Sequence, residues 1–265
     1  LLLSATPHDG KRESFASIMN LLNPTAIKNP KDYGPKDIDG LIVRRFKKDV
    51  QSQVAEAFPE REVHRHTLEA SPEEESAFEI LVNLEFKELD AKRKGSEALF
   101  RTGLEKSLFS SPAACSSTIK ERIKRLQARK EPEKFKADIK NLEAFDESIA
   151  KIGPEKFTKY QKLLSLLKSG GIDWYPQNAG DRVVIFTERI PTLHFLEEHL
   201  AQDLKLKPKQ IQILHGGMSD VEQQDIVEQF GSTDSPIRLL IASDVASEGI
   251  NLHYQCCQMI HFDIP

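Results

Sequence analysis

Two short apolar runs near the end of the sequence, with a polar segment between them, constrain the fold more than any other part of the chain. The first run covers residues 237–242 and is followed by Ser243 and Asp244, and the second covers residues 259–262. Small and acidic residues lie between the two runs: Ala246, Ser247, Glu248, Gly249 and Asn251. Short runs of branched apolar residues are typical of buried strands, and open α/β sheets bind ligands at the carboxyl ends of their strands. The segment therefore predicts two strands of one sheet, with a binding site where the first strand ends.

From residue 154 onward, apolar runs of strand length alternate with segments of helical periodicity. The predicted helices cover residues 156–168, 192–204 and 219–230, and the predicted strands cover residues 183–186, 211–214, 237–242 and 259–262. Ser219 and Glu222 have the spacing of a capping box, which marks the start of the last helix. Helices that alternate with strands through short loops indicate a parallel sheet with helices on both faces.

The first 153 residues are organised differently. Their predicted elements are the end of a buried strand at residues 1–3, a helix at 11–22, a strand at 61–68, a helix that starts at Ser71 and mostly helical structure over 99–150. The strand is predicted because apolar and polar residues alternate along it. The regular alternation of helix and strand therefore begins only after residue 153.

Charge and composition limit the function classes. The net charge of −4 argues against a uniformly basic nucleic-acid-binding protein, so a contact with nucleic acid has to come from local patches. Residues 120–140 form one such patch, with nine Lys or Arg and four Asp or Glu. A run of this kind is usually a solvated helical face, and a nucleic-acid contact is the alternative. The three cysteines lack the spacing of a disulfide framework or a zinc site, and no apolar run approaches the length of a membrane span. These features predict a cytoplasmic protein without a metal site in this chain.

Five segments of the chain are similar, in order, to the conserved motifs of one family. They are LLLSATPHDGK from residue 1, LIVRRFKKDV from residue 41, RVVIFTERIPTLHFLEEHL from residue 182, LHGGMSDVEQQDIVEQF from residue 214 and ASDVASEGINL from residue 242. The chain resembles the Swi/Snf-like DNA translocases of helicase superfamily two, and Glu248 resembles the bacterial branch. The ordered combination is much more specific than any single segment. The similarity is loose over residues 88–153.

The resemblance implies a fold class and a division of the chain. The implied fold class is α/β: a RecA-like parallel-sheet lobe in the C-terminal half, preceded by a largely helical insertion and the tail of a first RecA-like lobe. Residues 1–60 would be that tail with a basic connector, residues 61–153 the helical insertion, and residues 154–265 the second lobe, cut before motif VI. In such motors ATP binds between the two lobes, and their closure and opening move the protein along one strand of duplex DNA.

The resemblance also implies roles for individual residues. Those expected to couple the nucleotide site to nucleic acid are Ser4, Ala5 and Thr6. Those expected near the nucleotide are Glu248, Gly249 and Asn251. Those expected to bind nucleic acid are Thr187, Glu188, Gly216, Gly217, Ser243 and Asp244. The two glycines would let the backbone approach a phosphate. The family usually has Arg where this chain has Gln223, so this chain departs from the family pattern at that position.

Two parts of such a motor are not found in the sequence. There is no G-x-x-x-x-G-K-[ST] loop to bind phosphates and no Asp-Glu pair placed to hold Mg²⁺. By resemblance, ATP and Mg²⁺ are expected to bind mainly to an upstream lobe, and arginine fingers to come from a downstream block. The 265-residue chain on its own is therefore expected not to hydrolyse ATP.

The resulting hypothesis is a fragment of an ATP-dependent double-stranded DNA translocase that is associated with the nucleoid in the prokaryotic cytoplasm. It would contact DNA mainly through phosphates, and the helical insertion is a candidate surface for a protein partner. Two alternatives stay open: a non-catalytic DNA- or protein-binding module on a helicase-like lobe, and a strand-separating superfamily-two helicase. The sequence beyond both ends distinguishes the first alternative, and a strand-displacement assay distinguishes the second.

Overall fold

The computed structural model describes residues 2–3, 10–43, 62–86, 96–168, 171–172, 174–178, 180–243, 252 and 255–263. They belong to two compact units, Leu1–Arg65 and His66–Pro265. Within the described part of the chain, none of the helices is long and apolar enough to cross a membrane.

The first unit, where described, is built around one helix, α1 (Arg12–Leu22), and a 3₁₀ turn at Pro35–Asp37. Its small core comprises Ala16, Met19 and Ile27. The side-chain amide of Asn20 binds both backbone groups of Ile27 at 3.0 Å, because Nδ2 donates to the carbonyl and Oδ1 accepts from the amide. The helix predicted at residues 11–22 is confirmed.

The described part of the second unit opens with four helices. They are α2 (Pro72–Val82), α3 (Ser96–Ser110), α4 (Pro112–Gln127) and α5 (Lys136–Ile149). Both α2 and α4 begin with a serine N-cap followed by proline: Ser71 accepts a hydrogen bond from the Glu74 amide and Ser111 accepts one from the Ala114 amide. The mostly helical structure predicted over residues 99–150 is confirmed.

The strand predicted at residues 61–68 is wrong over its described part. Residues 62–70 pair with no strand of the described sheet, and every one of them is exposed. Alternation of apolar and polar residues produces a stable strand only where one face is buried and a neighbouring strand pairs with it. The segment has neither, so its alternation is a local pattern without a partner.

The remaining elements alternate between helix and strand. They are α6 (Thr158–Lys168), β1 (Arg182–Thr187), α7 (Ile190–Asp203), β2 (Ile211–Leu214), α8 (Asp220–Gly231), β3 (Leu239–Ser243) and β4 (Cys256–His261). The four strands are parallel, in the order β2-β3-β1-β4. Ser219 and Glu222 form the predicted capping box of α8, since each side chain accepts from the other residue's amide. The helices and strands predicted from residue 154 onward are confirmed, with ends shifted by up to three residues.

Helices cover both faces of this sheet. Val183 and Ile185 of β1 lie in a core formed with α6 and α7, whereas Val184 and Phe186 lie in a second core formed with α8. Successive strand residues point to opposite faces, so one strand contributes to both cores. The predicted parallel sheet with helices on both faces is confirmed.

The helices α2 to α5 share the larger core with the sheet. Leu126 of α4 and Phe145 of α5 belong to the same buried cluster as Tyr160 of α6 and Val183 of β1. In the described part of the chain, this core extends across the division predicted between residues 153 and 154, and the division itself stays a prediction.

Candidate functional site

The four strands end along one edge of the sheet, where several predicted site residues lie. In sheet order, the last residues of the strands are Leu214, Ser243, Thr187 and His261. Thr187 and Ser243 are register partners on β1 and β3, and both are buried. Gly216 and Gly217 follow β2, which pairs with β3. The parallel sheet thus brings five of the predicted residues to one edge, Glu188 being the fifth.

The other predicted site residues lie outside the described residues. They are Ser4, Ala5, Thr6, Asp244, Glu248, Gly249 and Asn251. Their roles stay predictions. The described part of the edge is formed by the residues that follow β1, β2 and β4.

The turn after β2 is held together by its own residues. The Gly217 amide donates to Nδ1 of His215 at 3.1 Å, so the proton of the neutral imidazole lies on Nε2. A Cβ at position 217 would lie 3.1 Å from the same Nδ1, which favours glycine at this close approach. Gln223, which stands where the resembling family has Arg, donates from Nε2 to the Met218 carbonyl at 3.0 Å. In this arrangement the Gly217 amide points at His215, and it can bind a phosphate only after the imidazole turns away.

The turn after β1 is bound to a carboxylate that follows β4. Oδ2 of Asp263 accepts hydrogen bonds from the Thr187 hydroxyl at 2.6 Å and from the Glu188 amide at 3.0 Å. It also accepts one from the Ser110 hydroxyl at 2.9 Å. The other oxygen, Oδ1, lies 2.9 Å from Nζ of Lys159. Four donors thus satisfy a carboxylate that is only 8% exposed, as a buried charge requires.

Burial and hydrogen bonding act in opposite directions on Asp263. Burial alone raises the pKa of the carboxyl group, but the Lys159 ammonium and the hydroxyls of Thr187 and Ser110 together bring the pKa of Asp263 below its ordinary value. The pKa of Lys159 is lowered by burial, and the attraction of Asp263 opposes that shift. The contacts with these few groups thus outweigh the effect of burial on the Asp263 carboxyl group.

The sequence motifs point to Thr187 and Glu188 but not to Asp263, Ser110 or Lys159. One signal exists for Asp263: it follows a predicted strand, as Thr187 and Glu188 follow β1, and the carboxyl ends of parallel strands share one edge. No comparable signal exists for Ser110, which is 153 residues away along the chain and reaches Asp263 only through tertiary packing.

The solvent side of the turn after β1 carries two opposite charges. The carboxylate of Glu188 lies 3.8 Å from Nε of Arg189, and their side chains are 44% and 31% exposed. A carboxylate repels a phosphate, whereas a guanidinium binds one well. The hydrogen of the Thr187 hydroxyl is already directed at Asp263. Arg189, which the motifs do not single out, is therefore the side chain of this turn whose charge suits a phosphate.

The described residues do not by themselves fit a Mg²⁺ site. Within them, no group of three or more His, Cys, Asp or Glu side chains could hold a metal ion. Asp263, the buried carboxylate of the edge, already accepts from four donors including an ammonium. A ligand of Mg²⁺ instead keeps an oxygen free for the ion.

Four of the nine basic residues at positions 120–140 form ion pairs with nearby acids in the described structure. The pairs are Lys120–Asp146 at 3.7 Å, Arg125–Glu121 at 2.7 Å, Lys134–Glu131 at 2.5 Å and Lys136–Glu133 at 3.9 Å. The basic members are all more than half exposed. These contacts fit the solvated helical face, and the nucleic-acid alternative gains no support from them.

Residues 158–265 match the family model of the helicase conserved C-terminal domain. The matched region begins with α6 and includes the whole sheet. The fold class predicted for this half of the chain, an α/β lobe of RecA-like type with a parallel sheet, is confirmed.

Curated relatives match a shorter part of the chain. RNA polymerase-associated protein RapA of Yersinia pestis (strain Pestoides F) is 26% identical over 94 residues, which is 36% of this chain and 9% of that protein. RapA of Yersinia pseudotuberculosis serotype O:1b (strain IP 31758) matches with the same values. The matched segment thus spans only about a tenth of the length of these relatives.

Two solved structures are similar over more of the chain. The C-terminal part of the Fun30 ATPase domain has a TM-score of 0.45 and 19% sequence identity, and covers 78% of this chain and 76% of its own. The Hef helicase domain of Pyrococcus furiosus has a TM-score of 0.46 and 13% identity, and covers 88% of this chain and 57% of its own. Likenesses at this level say nothing about activity.

Proposed function

We propose that the chain is part of an ATP-dependent translocase that moves along double-stranded DNA, of Swi/Snf-like family and bacterial type. The observation that carries the proposal is that residues at the ends of three strands, predicted to contact phosphate, lie at one edge of the sheet. That edge is inside the region that matches the helicase conserved C-terminal domain. The ordered resemblance of five segments to one family supports the choice of duplex DNA. Residues 154–265 would be the second of two lobes.

Contacts with DNA in this proposal are made mainly to phosphates. Ser243 contributes a hydroxyl, and Arg189 contributes a charge beside the Thr187 and Glu188 turn. Helix α8 begins just after the two glycines, and a helix N-terminus favours an anion. Phosphate contacts carry no sequence information and weaken as salt increases. Binding should therefore depend steeply on salt and hardly at all on DNA sequence.

Coupling to ATP is assigned to residues outside the described part of the chain. Ser4, Ala5 and Thr6 would relay between nucleotide and DNA, and Glu248, Gly249 and Asn251 would lie near the nucleotide. ATP and Mg²⁺ supply the phosphoryl-transfer chemistry and would bind mainly to an upstream lobe. This chain alone should then be inactive as an ATPase.

The proposal also includes a location and a second kind of partner. The RapA relatives come from bacteria, which supports action on DNA in the prokaryotic cytoplasm. The helices α2 to α5 present several exposed apolar side chains, among them Ile80, Val82, Leu99 and Phe109. Exposed apolar groups on one segment are compatible with a protein partner there.

ATP hydrolysis by the complete parent protein tests the proposal. Parallel reactions contain no nucleic acid, duplex DNA, single-stranded DNA or RNA. We expect strong stimulation by duplex DNA alone. Stimulation by single strands would favour a strand-separating helicase. Absence of hydrolysis in every reaction would favour a non-catalytic binding module.

A paired variant makes the test specific to the edge of the sheet. Ser243→Ala combined with Asn251→Ala should lower duplex-stimulated ATP turnover roughly tenfold or more. The first change removes a phosphate contact that positions the DNA, and the second removes a group assigned to the nucleotide. Ser235 is a matched control, since its hydroxyl accepts from the Ile237 amide just before β3, at the opposite end of that strand. Wild-type stimulation in the double variant would contradict the assignment of these residues.

A further inference from the structure

We propose that Asp263 is a positioning residue that ties the corner between α3 and α4 to the turn after β1. The corner consists of residues 109–111, and the turn consists of residues 187–189. The inference rests on the proposed function, because it assigns Asp263 a role in how the edge of the sheet meets DNA. It concerns contacts within the second unit alone.

A chain of buried hydroxyl groups links the corner to Asp263. Oγ1 of Thr192, in the first turn of α7, lies 2.6 Å from Oγ of Ser110 and 2.7 Å from Oγ of Ser111. Ser110 in turn lies 2.9 Å from Oδ2 of Asp263. The three hydroxyl residues are at most 4% exposed. Water therefore does not replace a bond that one of them loses, and the partner is left unsatisfied.

The charge on Asp263 fixes the direction of each bond in this chain. An ionised carboxylate only accepts, so the single hydrogen of the Ser110 hydroxyl goes to Asp263. Ser110 must then accept from Thr192, and Thr192 must accept from Ser111. The oxygen of Ser111 accepts from the Ala114 amide at 3.0 Å, which caps α4. The donors thus point one way, from the N-terminus of α4 to Asp263.

Lys159 connects the same corner to the other oxygen of the carboxylate. Its Nζ lies 2.9 Å from Oδ1 of Asp263 and donates to the Phe109 carbonyl at 2.5 Å, in the last turn of α3. It also lies 4.4 Å from the centre of the Phe262 ring, where a cation is favourable. Both oxygens of Asp263 are therefore tied to the α3–α4 corner, one through hydroxyls and one through the ammonium.

The network ends at the predicted DNA contacts. Asp263 holds the Thr187 hydroxyl and the Glu188 amide, and Thr187 is the register partner of Ser243. A shift of the corner relative to the sheet therefore displaces the turn that carries Arg189. Displacements of about 1 Å in groups that orient a substrate are enough to lower turnover strongly. Asp263 acts through this turn and is not itself a contact with DNA.

Thr192 allows a test that leaves Asp263 and the edge of the sheet chemically unchanged. Thr192→Val keeps the branched shape and removes the hydroxyl, whereas Thr192→Ser keeps the hydroxyl and removes a methyl group. In the complete parent protein, we expect Thr192→Val to lower duplex-stimulated ATP turnover roughly tenfold, with little change in the DNA concentration for half-maximal stimulation. Thr192→Ser should keep wild-type turnover. A role limited to packing of the Thr192 methyl group would give the opposite order, because only the serine leaves a cavity.

Amide hydrogen exchange gives a second readout that does not depend on ATP. In both Thr192→Val and Asp263→Asn, the amides of Glu188, Ala114 and Cys115 should exchange faster than in the wild type, because each is bound to the network or to the Ser111 cap. The amides of β2, which pairs only with β3 in the described sheet, serve as the internal control and should not change.

The outcomes separate this inference from the proposed function. If Thr192→Val matches the wild type in both turnover and exchange, the inference is overturned. The same holds if Thr192→Ser loses as much turnover as Thr192→Val. If duplex DNA fails to stimulate even the wild-type protein, the proposed function fails, and the exchange comparison then decides by itself whether Asp263 holds the turn.

Discussion

Two ion pairs in the second unit show how burial changes the contribution of an ion pair to the stability of the fold. Lys156 and Glu73 pair near the surface, with side chains 45% and 29% exposed, and such a pair contributes little to stability because water solvates both partners well. Asp263 and Lys159 are 8% and 26% exposed, so either charge without the other is poorly solvated. Removing one member of a buried pair costs about 3 kcal/mol or more. Removal of the Asp263 carboxylate should therefore lower the free energy of unfolding of the second unit.

Stability should depend on pH through Asp263. Its pKa in the folded protein lies below that of the unfolded chain, so the ionised carboxylate stabilises the fold at neutral pH. That contribution is complete above the ordinary carboxyl pKa of about 4 and is lost as the pH falls through the lower folded pKa. We expect the urea midpoint of the wild type to decrease in this acid range, and that of Asp263→Asn to decrease less.

A control variant isolates this effect. Asp234 is exposed, so Asp234→Asn should keep the wild-type pH dependence. At pH 7, Asp263→Asn should be less stable than either protein by about 3 kcal/mol. Equal pH dependence in all three proteins would show that the pair with Lys159 does not stabilise the fold.

Strand β4 is the element whose register is easiest to test chemically. It is an outer strand of the described sheet, and its residues alternate between half-buried and exposed. Cys257 is exposed and Cys256 is half-buried. Burial raises the pKa of the Cys256 thiol to about 11, and it raises that of Cys115 in α4 to about 12.

Alkylation by iodoacetamide at neutral pH should modify Cys257 first. The thiolate is the reactive form, and raised pKa values keep the other two thiols protonated. Mass spectrometry over a time course measures the three rates, and Cys257→Ser should remove the fast phase. Faster modification of Cys256 would contradict the register, because a slip by one residue exchanges the two faces of a strand.

At this scale, the sequence predicts the elements whose periodicity reflects burial in the folded protein. The helices and strands from α6 to β4 have apolar residues at the spacing of their own buried faces, so local pattern and tertiary structure agree. Residues 61–68 have the alternation of a strand but no partner strand in the described sheet. Whether a strand finds a neighbouring strand depends on the tertiary fold, so the local alternation of apolar and polar residues does not predict it.

Over the whole second unit, the helices α2 to α5 and the sheet contribute to one core. Trp174, the only tryptophan of the chain, is 2% exposed and belongs to the same buried cluster as Phe145 of α5 and Val183 of β1. A substitution that destabilises the helices α2 to α5 should therefore also destabilise the sheet. The fluorescence of Trp174 reports on that core directly.

Phe145→Ala in the 265-residue chain should lower the free energy of unfolding by about 4 kcal/mol, because it leaves a cavity in the shared core. The unfolding transition is followed by Trp174 fluorescence in increasing urea. Glu147, on the exposed side of the same helix, provides the control, and Glu147→Ala should leave the transition where it is. An unchanged Trp174 transition in Phe145→Ala would mean that the helices and the sheet unfold independently.

The candidate site is predictable from sequence only where strand ends reveal it. Thr187, Ser243 and the two glycines follow apolar runs, so their meeting at one edge follows from the parallel sheet. The partners of Asp263 come from α3, α6 and the turn after β1. These segments meet only because the helical segment packs against the sheet. Neither a sequence motif nor a periodicity predicts that these segments come into contact.

Movement along duplex DNA is the central claim, and displacement of a third strand from a DNA triple helix tests it most directly. The complete parent protein is given ATP, Mg²⁺ and a duplex whose far end carries a bound third strand, and release of that strand is measured with and without ATP. We predict ATP-dependent release of the third strand while the duplex stays paired. Separation of the duplex strands, or ATP hydrolysis without release of the third strand, would contradict the account.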